Sequence, residues 1–157
     1  MCATPLSLKG RALRLLSGRE HSRTELERRL ARFEEVPGSL VQTLDELAAM
    51  GFINEQRVVE SLLYRRAAKL GAARIQHELR AKGLDADTVR SAVASLQVTE
   101  LERARAVWRK KFSHAPQDAA GRAKQMRFLA ARGFSGDVIR QLVLNPRDAS
   151  FEGDESA

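Results

Sequence analysis

The chain has a single cysteine, Cys2, among 157 residues, which excludes an internal disulfide and a cysteine-based metal cluster. A reducing cytoplasm is the expected setting. Aromatic residues make up only 5%, with one Trp and one Tyr, so a single large core would have to be filled by Leu, Ala and Val. A thin, extended helical body suits that composition better. No apolar run approaches the ~18 residues of a membrane-crossing helix, and residues 1–9 lack the apolar centre of a secretory signal, so no membrane association is expected. There is no glycine-rich phosphate loop, nucleophile elbow or paired-carboxylate constellation. His21, His77 and His114 lie far apart without acidic or cysteine neighbours at ligand spacing. Surface or capping roles are expected of them, and neither a metal, a cofactor nor an enzymatic activity is expected.

What is abundant is helix-forming. Ala, Leu, Arg, Lys and Glu account for 83 residues, or 53%, a level typical of nearly all-helical chains. A 3.6-residue apolar period predicts nine helices punctuated by Gly and Pro. The first three run from Leu8 to Leu16, from a Ser22/Glu25 capping box through Leu26, Leu30 and Phe33, and from Ser39 to Met50, with Leu40, Leu44, Leu47 and Ala48 inward. The fourth is capped by Asn54, buries Val58, Val59, Leu62 and Leu63, and is stopped by Gly71. The fifth spans Ala72 to Lys82, and the sixth Asp87 to Leu96, with Asp85 and Asp87 as capping acids. A Thr99/Glu102 capping-box spacing predicts the start of a seventh, whose Leu101, Ala104, Trp108 and Phe112 share one face. Trp108 reads as core. The last two span roughly 118–132 and 136–144, ending before Pro146.

These helices repeat. A shift of 50 carries Leu79, Lys82, Gly83, Leu84, Val89 and Val93 onto Leu129, Arg132, Gly133, Phe134, Ile139 and Val143. A shift of 49 carries Leu26, Leu30, Leu40, Leu44 and Leu47 onto Ile75, Leu79, Val89, Val93 and Leu96. The expected architecture is all-α: three tandem three-helix repeats over residues 8–52, 53–98 and 99–145, forming an elongated, curved array, then an acidic, disordered tail over 146–157. Stacking would bury faces that one small unit leaves exposed.

Charge is unevenly spread. The net value of +7 comprises +1 for residues 1–52, +3 for 53–98, +7 for 99–147 and −4 for the last ten residues. An acidic partner is implied, either phosphates or an acidic protein groove, both suited to forked guanidinium contacts. The candidate contact residues are Arg65, Arg66, Lys69, Arg74 and Lys82 in the second repeat, with Arg103, Arg109, Lys110, Lys111, Lys124, Arg127 and Arg132 in the third.

Three stretches carry a resemblance: SGREHSRTELERRL (Ser17 to Leu30), AAMGFINEQRVVESLLYRRAAKLGAARIQHELRAKGL (Ala48 to Leu84) and KQMRFLAARGFSGDVIRQLV (Lys124 to Val143). They resemble the RecX family of recombinase regulators over nearly the whole chain, most specifically in GAARIQHELRAKG and RFLAARGF. The chain departs from the family pattern at Val58 and Val59, where an aromatic followed by Ala is usual, and at Gln125, which takes an apolar position. The resemblance implies a crescent of three helical repeats lying in the groove of the RecA filament on DNA. It also implies inhibition of filament extension, strand exchange, ATP hydrolysis and coprotease activity. A monomer is expected, with weak sequence-independent DNA binding as an auxiliary activity. An alternative from the residues alone is a helix-turn-helix transcriptional regulator built on Ser22 to Met50, with Gly51 to Arg57 beginning a wing.

Overall fold

The computed structural model describes residues 4–145, so Cys2 and the expected acidic tail lie outside the described residues. These form eight α-helices and one 3-10 turn: α1 Leu8–Gly18, α2 Arg23–Leu30 running into the turn Ala31–Phe33, α3 Ser39–Ala49, α4 Glu55–Arg66, α5 Ala72–Ala81, α6 Ala86–Lys111, α7 Ala119–Ala131 and α8 Gly136–Leu144. Side-chain oxygens cap most starts, each accepting from an otherwise unpaired first-turn amide. Ser7, Asn54, Asp85, Asp118 and Ser135 do so for α1, α4, α6, α7 and α8. Ser22 and Glu25 form the reciprocal capping box at α2.

Each triplet closes its own core. Ala12, Leu26, Leu30, Leu40, Leu44, Leu47 and Ile53 fill the first. The second is centred on Val58, Val59, Leu62, Ile75, Leu79, Val89 and Leu96. The third is centred on Ala104, Trp108, Leu129, Phe134, Ile139, Leu142 and Val143. Val58 and Val59 are both buried, so the departure from the usual aromatic–Ala pair leaves a filled core. Ala48, expected inward, is exposed. Where a wing would follow α3, residues 55–66 are helical.

Two boundaries differ from expectation. The predicted sixth and seventh helices are one, α6, 26 residues long and about 39 Å from end to end. No Gly or Pro interrupts Leu96 to Thr99, so nothing breaks the backbone ladder, and Thr99 and Glu102 make no capping box. Thr99 Oγ1 instead bonds back to the carbonyl of Leu96, and Glu102 pairs with Arg105. Gly71 also does not stop α4, which ends at Arg66, but is the residue before α5.

The repeats are joined by one recurring contact. The residue preceding the second helix of one repeat donates to the carbonyl that follows the second helix of the next. Ser22 Oγ reaches Lys82 O at 2.5 Å, and Gly71 N reaches Arg132 O at 2.8 Å. The residues after those carbonyls, Gly83 and Gly133, have φ of +74° and +84°. A β-carbon on Gly83 would collide with Thr24, and one on Gly133 would lie 2.5 Å from Arg74 Cβ. The glycines matched by the 50-residue shift are therefore required twice over, by backbone conformation and by the approach of the neighbouring repeat.

Gly38 provides the contrast, with φ of +87° and open space where a β-carbon would sit. Gly83→Ala should cost about 2–4 kcal/mol in urea unfolding, combining left-handed strain with overpacking, and Gly38→Ala only about 1 kcal/mol.

Candidate functional site

In the third repeat the acids are committed and most of the bases are not. Glu100 is buried and accepts from the α5 amide of Ala72 at 3.0 Å. Glu102 pairs with Arg105, Asp137 with Arg140, and Asp118 accepts from Gly121 N. That uses every acid between 99 and 147, while Arg109, Lys110, Lys124 and Arg127 stand exposed. Uncompensated positive potential follows directly.

The expected contact residues do not form one continuous face. Successive helical residues turn by about 100°, so Arg109 and Lys111 leave opposite flanks of α6, and Lys110 points away from the buried Trp108. Phe128 organises a tighter group. Its ring packs edge-on against Phe112, with centroids 5.2 Å apart, while the Arg132 guanidinium lies 3.7 Å and the Lys111 ammonium 5.9 Å from its centroid. Lys124, one turn before Phe128, lines a cleft together with Lys111. Arg74 abuts Gly133, beside Arg132, across the joint between the second and third repeats. Arg132 and Lys111 thus flank the Phe128 ring, Arg74 lies beside Arg132 across the joint, and Lys124 shares a cleft with Lys111 and Asp118. Arg65, Arg66 and Lys69 are exposed near the end of α4, with Arg66 3.5 Å from Glu78 and Arg65 Nε bonded to Ser61 O.

Two of the expected contact residues turn inward. Arg103 donates to the carbonyls of Ala67 at 2.8 Å, Leu70 at 2.6 Å and Leu96 at 2.9 Å, and to Thr99 Oγ1 at 3.1 Å. It closes the end of α4 onto the middle of α6, and burial lowers its pKa. Lys82 Nζ sits 2.8 Å from Glu25 Oε1, with both side chains about five-sixths covered. Burial alone would raise the Glu25 carboxyl, but bonds from Lys82, Ser22 N and Arg19 outweigh it and hold the group at about 2. Arg28 adds a bond to Ala81 O at 2.9 Å. The guanidinium of Arg103 and the ammonium of Lys82 are thereby satisfied within the fold.

Other polar residues fall into place through burial. Gln125, at an apolar position of the family pattern, is buried and accepts from Trp108 Nε1 at 2.7 Å. His21, expected at the surface or in a cap, is buried with Nδ1 3.0 Å from Arg19 O, and burial lowers its pKa. His77 and His114 are exposed. Among the described residues no group of three or more His, Cys, Asp or Glu side chains is placed to hold a metal ion. None of their helices is long and apolar enough to cross a membrane.

Three three-helix units, each with its own core and joined end to end, define a helical-repeat protein. Family models for the first, second and third three-helix domains of RecX match residues 9–47, 54–93 and 99–143. The chain is 51% identical over 138 residues to a "Regulatory protein RecX" of Leptothrix cholodnii, covering 88% of each chain. It is 44% identical over 154 residues to the protein of that name from Chromobacterium violaceum, covering 98% of this chain and all of the other. The crystal structure of RecX from Lactobacillus salivarius shares the fold with a TM-score of 0.73 at 22% identity, covering 90% of this chain and 95% of that one. The chain belongs to the RecX family of regulatory proteins.

Arg103→Leu should lower stability by about 2–4 kcal/mol in denaturant unfolding, because it removes the donor to the part-buried carbonyls of Ala67 and Leu70 at once. Glu25 is held below its usual value in the folded state. Its stabilising contribution is therefore complete above about pH 4.5 and lost as pH falls towards about 2. Glu25→Gln should flatten that acid limb in thermal melts recorded between pH 6 and pH 2.

Proposed function

We propose that this chain regulates RecA recombinase by binding the RecA–DNA filament and opposing its extension, so that strand exchange, ATP hydrolysis and coprotease activity fall. In this reading it is a non-catalytic, monomeric, cytoplasmic protein. RecA as partner rests on the family, whose relatives bear the name "Regulatory protein RecX". The observation on this chain that carries the reading is the commitment of every acid in the third repeat while Arg109, Lys110, Lys124 and Arg127 remain exposed. A surface in this state attracts carboxylates or phosphates over roughly a Debye length, about 8 Å at physiological salt.

The contact surface in this proposal centres on Arg74, Lys111 and Arg132 near Phe128, with Lys124 in the adjoining cleft, while Arg109, Lys110 and Arg127 add exposed charge on other sides of their helices. Arg65, Arg66 and Lys69 extend it onto the second repeat. Because the surface crosses the joint between two repeats, it spans more than one three-helix unit and is suited to a partner longer than one domain. A protein so placed would oppose the subunit rearrangements that growth and turnover of the filament require.

Lys111 and Lys124 anchor no backbone group, so reversing both leaves the fold intact. Lys111→Glu with Lys124→Glu should weaken inhibition of RecA-dependent strand exchange at least tenfold, read as the protein concentration giving half-inhibition. An unchanged value would remove this surface from the mechanism.

A further inference from the structure

The first repeat has a net charge of only +1, yet its charges are sorted in space. An open cleft of about 850 Å³ lies between α1 and the end of α2, and Arg11, Arg14, Arg19, Arg28, Arg29 and Arg32 line it without a single acidic side chain. Four of the seven acids of this repeat are bound outside the cleft, and Glu25 pairs with the cleft's own Arg19 at 3.1 Å as well as with Lys82. Glu20 pairs with Arg57 at 2.9 Å, Glu25 with Lys82, and Glu27 and Asp45 both with Arg23. Glu34 accepts from the amides of Gly38 and Leu40. Near-neutrality of the segment therefore conceals a wall that carries one sign of charge.

The cleft also offers flat apolar surface. Arg11 and Arg32 lie over the Phe33 ring, 3.9 Å and 4.6 Å from its centroid, and Leu15 and Leu30 complete the lining beside them. Guanidiniums over an aromatic ring form a platform on which a base can stack, while free guanidiniums take phosphate oxygens. Arg14 and Arg29 supply the latter: both are exposed, and their guanidiniums are free of the hydrogen bonds and ion pairs that hold Arg19 and Arg28. The hydrogen-bonding side chains of the lining are Arg and His, with no carboxylate, amide or hydroxyl group among them.

We propose that this arginine cleft of the first repeat binds single-stranded nucleic acid without sequence preference, gripping its phosphates through Arg14 and Arg29 and stacking bases near Phe33. A single strand suits it better than a duplex, whose bases are already stacked and turned inward. The site is separate from the surface around Phe128 and does not depend on RecA being the partner.

The test is fluorescence anisotropy of the full chain with a labelled thymidine oligonucleotide, without RecA, over a range of salt. Arg14→Glu with Arg29→Glu should reduce affinity at least tenfold, and the milder pair Arg14→Gln with Arg29→Gln about threefold. The log–log salt slope should shrink by about 1.4 in the Gln pair, at roughly 0.7 per phosphate lost from a single strand. Arg90→Glu, on α6, lowers the net charge by the same amount as the Gln pair and should change affinity less than twofold. Circular dichroism melts establish that each variant is folded, and the Gln pair keeps the test open if the charge reversal unfolds the repeat. Unchanged affinity in a folded variant would overturn the proposal. So would equal competition by inorganic tripolyphosphate at matched phosphate concentration, which would mark the cleft as a small-anion site, or a preference for duplex of the same length. Failure here leaves the strand-exchange result for Lys111 and Lys124 untouched, since that assay reads the other surface.

Discussion

Everything in this architecture depends on one backbone carbonyl per joint. At the end of the second helix of a repeat, Lys82 or Arg132 presents its C=O to the start of the preceding repeat's second helix, where Ser22 Oγ or Gly71 N donates to it. The first amides of a helix lack intrahelical partners, and the last carbonyls do likewise. At the α5 joint amide and carbonyl satisfy one another, and at the first joint the Ser22 hydroxyl satisfies the Lys82 carbonyl. At α5 the pairing is nearly complete: Gly71 and Ala73 bond to Arg132 O and Gly133 O, and Ala72 bonds to Glu100. A three-helix unit with a core of this size is marginal alone, and these polar contacts bind each unit to its neighbour.

The electrostatics follow a rule of commitment more than one of count. The third repeat reads as strongly positive by arithmetic, and its bases stay available because its acids cap helices or neutralise specific arginines. The first repeat reads as almost neutral, yet no acid lines its arginine cleft, and Glu20, Glu27 and Asp45 pair with arginines outside it. Net charge over a segment describes a distant observer's view. A ligand at a few ångströms meets only the charges that no intramolecular partner has taken.

Much of the fold was legible in the sequence. The triplet organisation followed from apolar periodicity, and the shift of 50 located Gly83 and Gly133 before any contact was known. Asn54, Asp85 and the Ser22/Glu25 box all cap as their spacing predicted. The continuous α6 was not legible, because Thr99/Glu102 has the same spacing inside a helix as at its start, and the absence of a breaker was the better signal. Nor could the inward roles of Lys82 and Arg103 be read, since a basic residue looks alike in sequence whether it faces solvent or three carbonyls. Gln125 shows the converse: an amide among apolar positions is explained once Trp108, 17 residues away, is seen to need an acceptor.

The two joints differ mechanically. The second and third repeats share α6, so bending between them would break the hydrogen-bond ladder of an unbroken 26-residue helix. The first and second repeats share no helix; Ser22, Glu25, Arg28 and Lys82 hold them through side-chain bonds, with Gly83 pressed against Thr24. A continuous helical backbone thus fixes one joint, and side chains close the other.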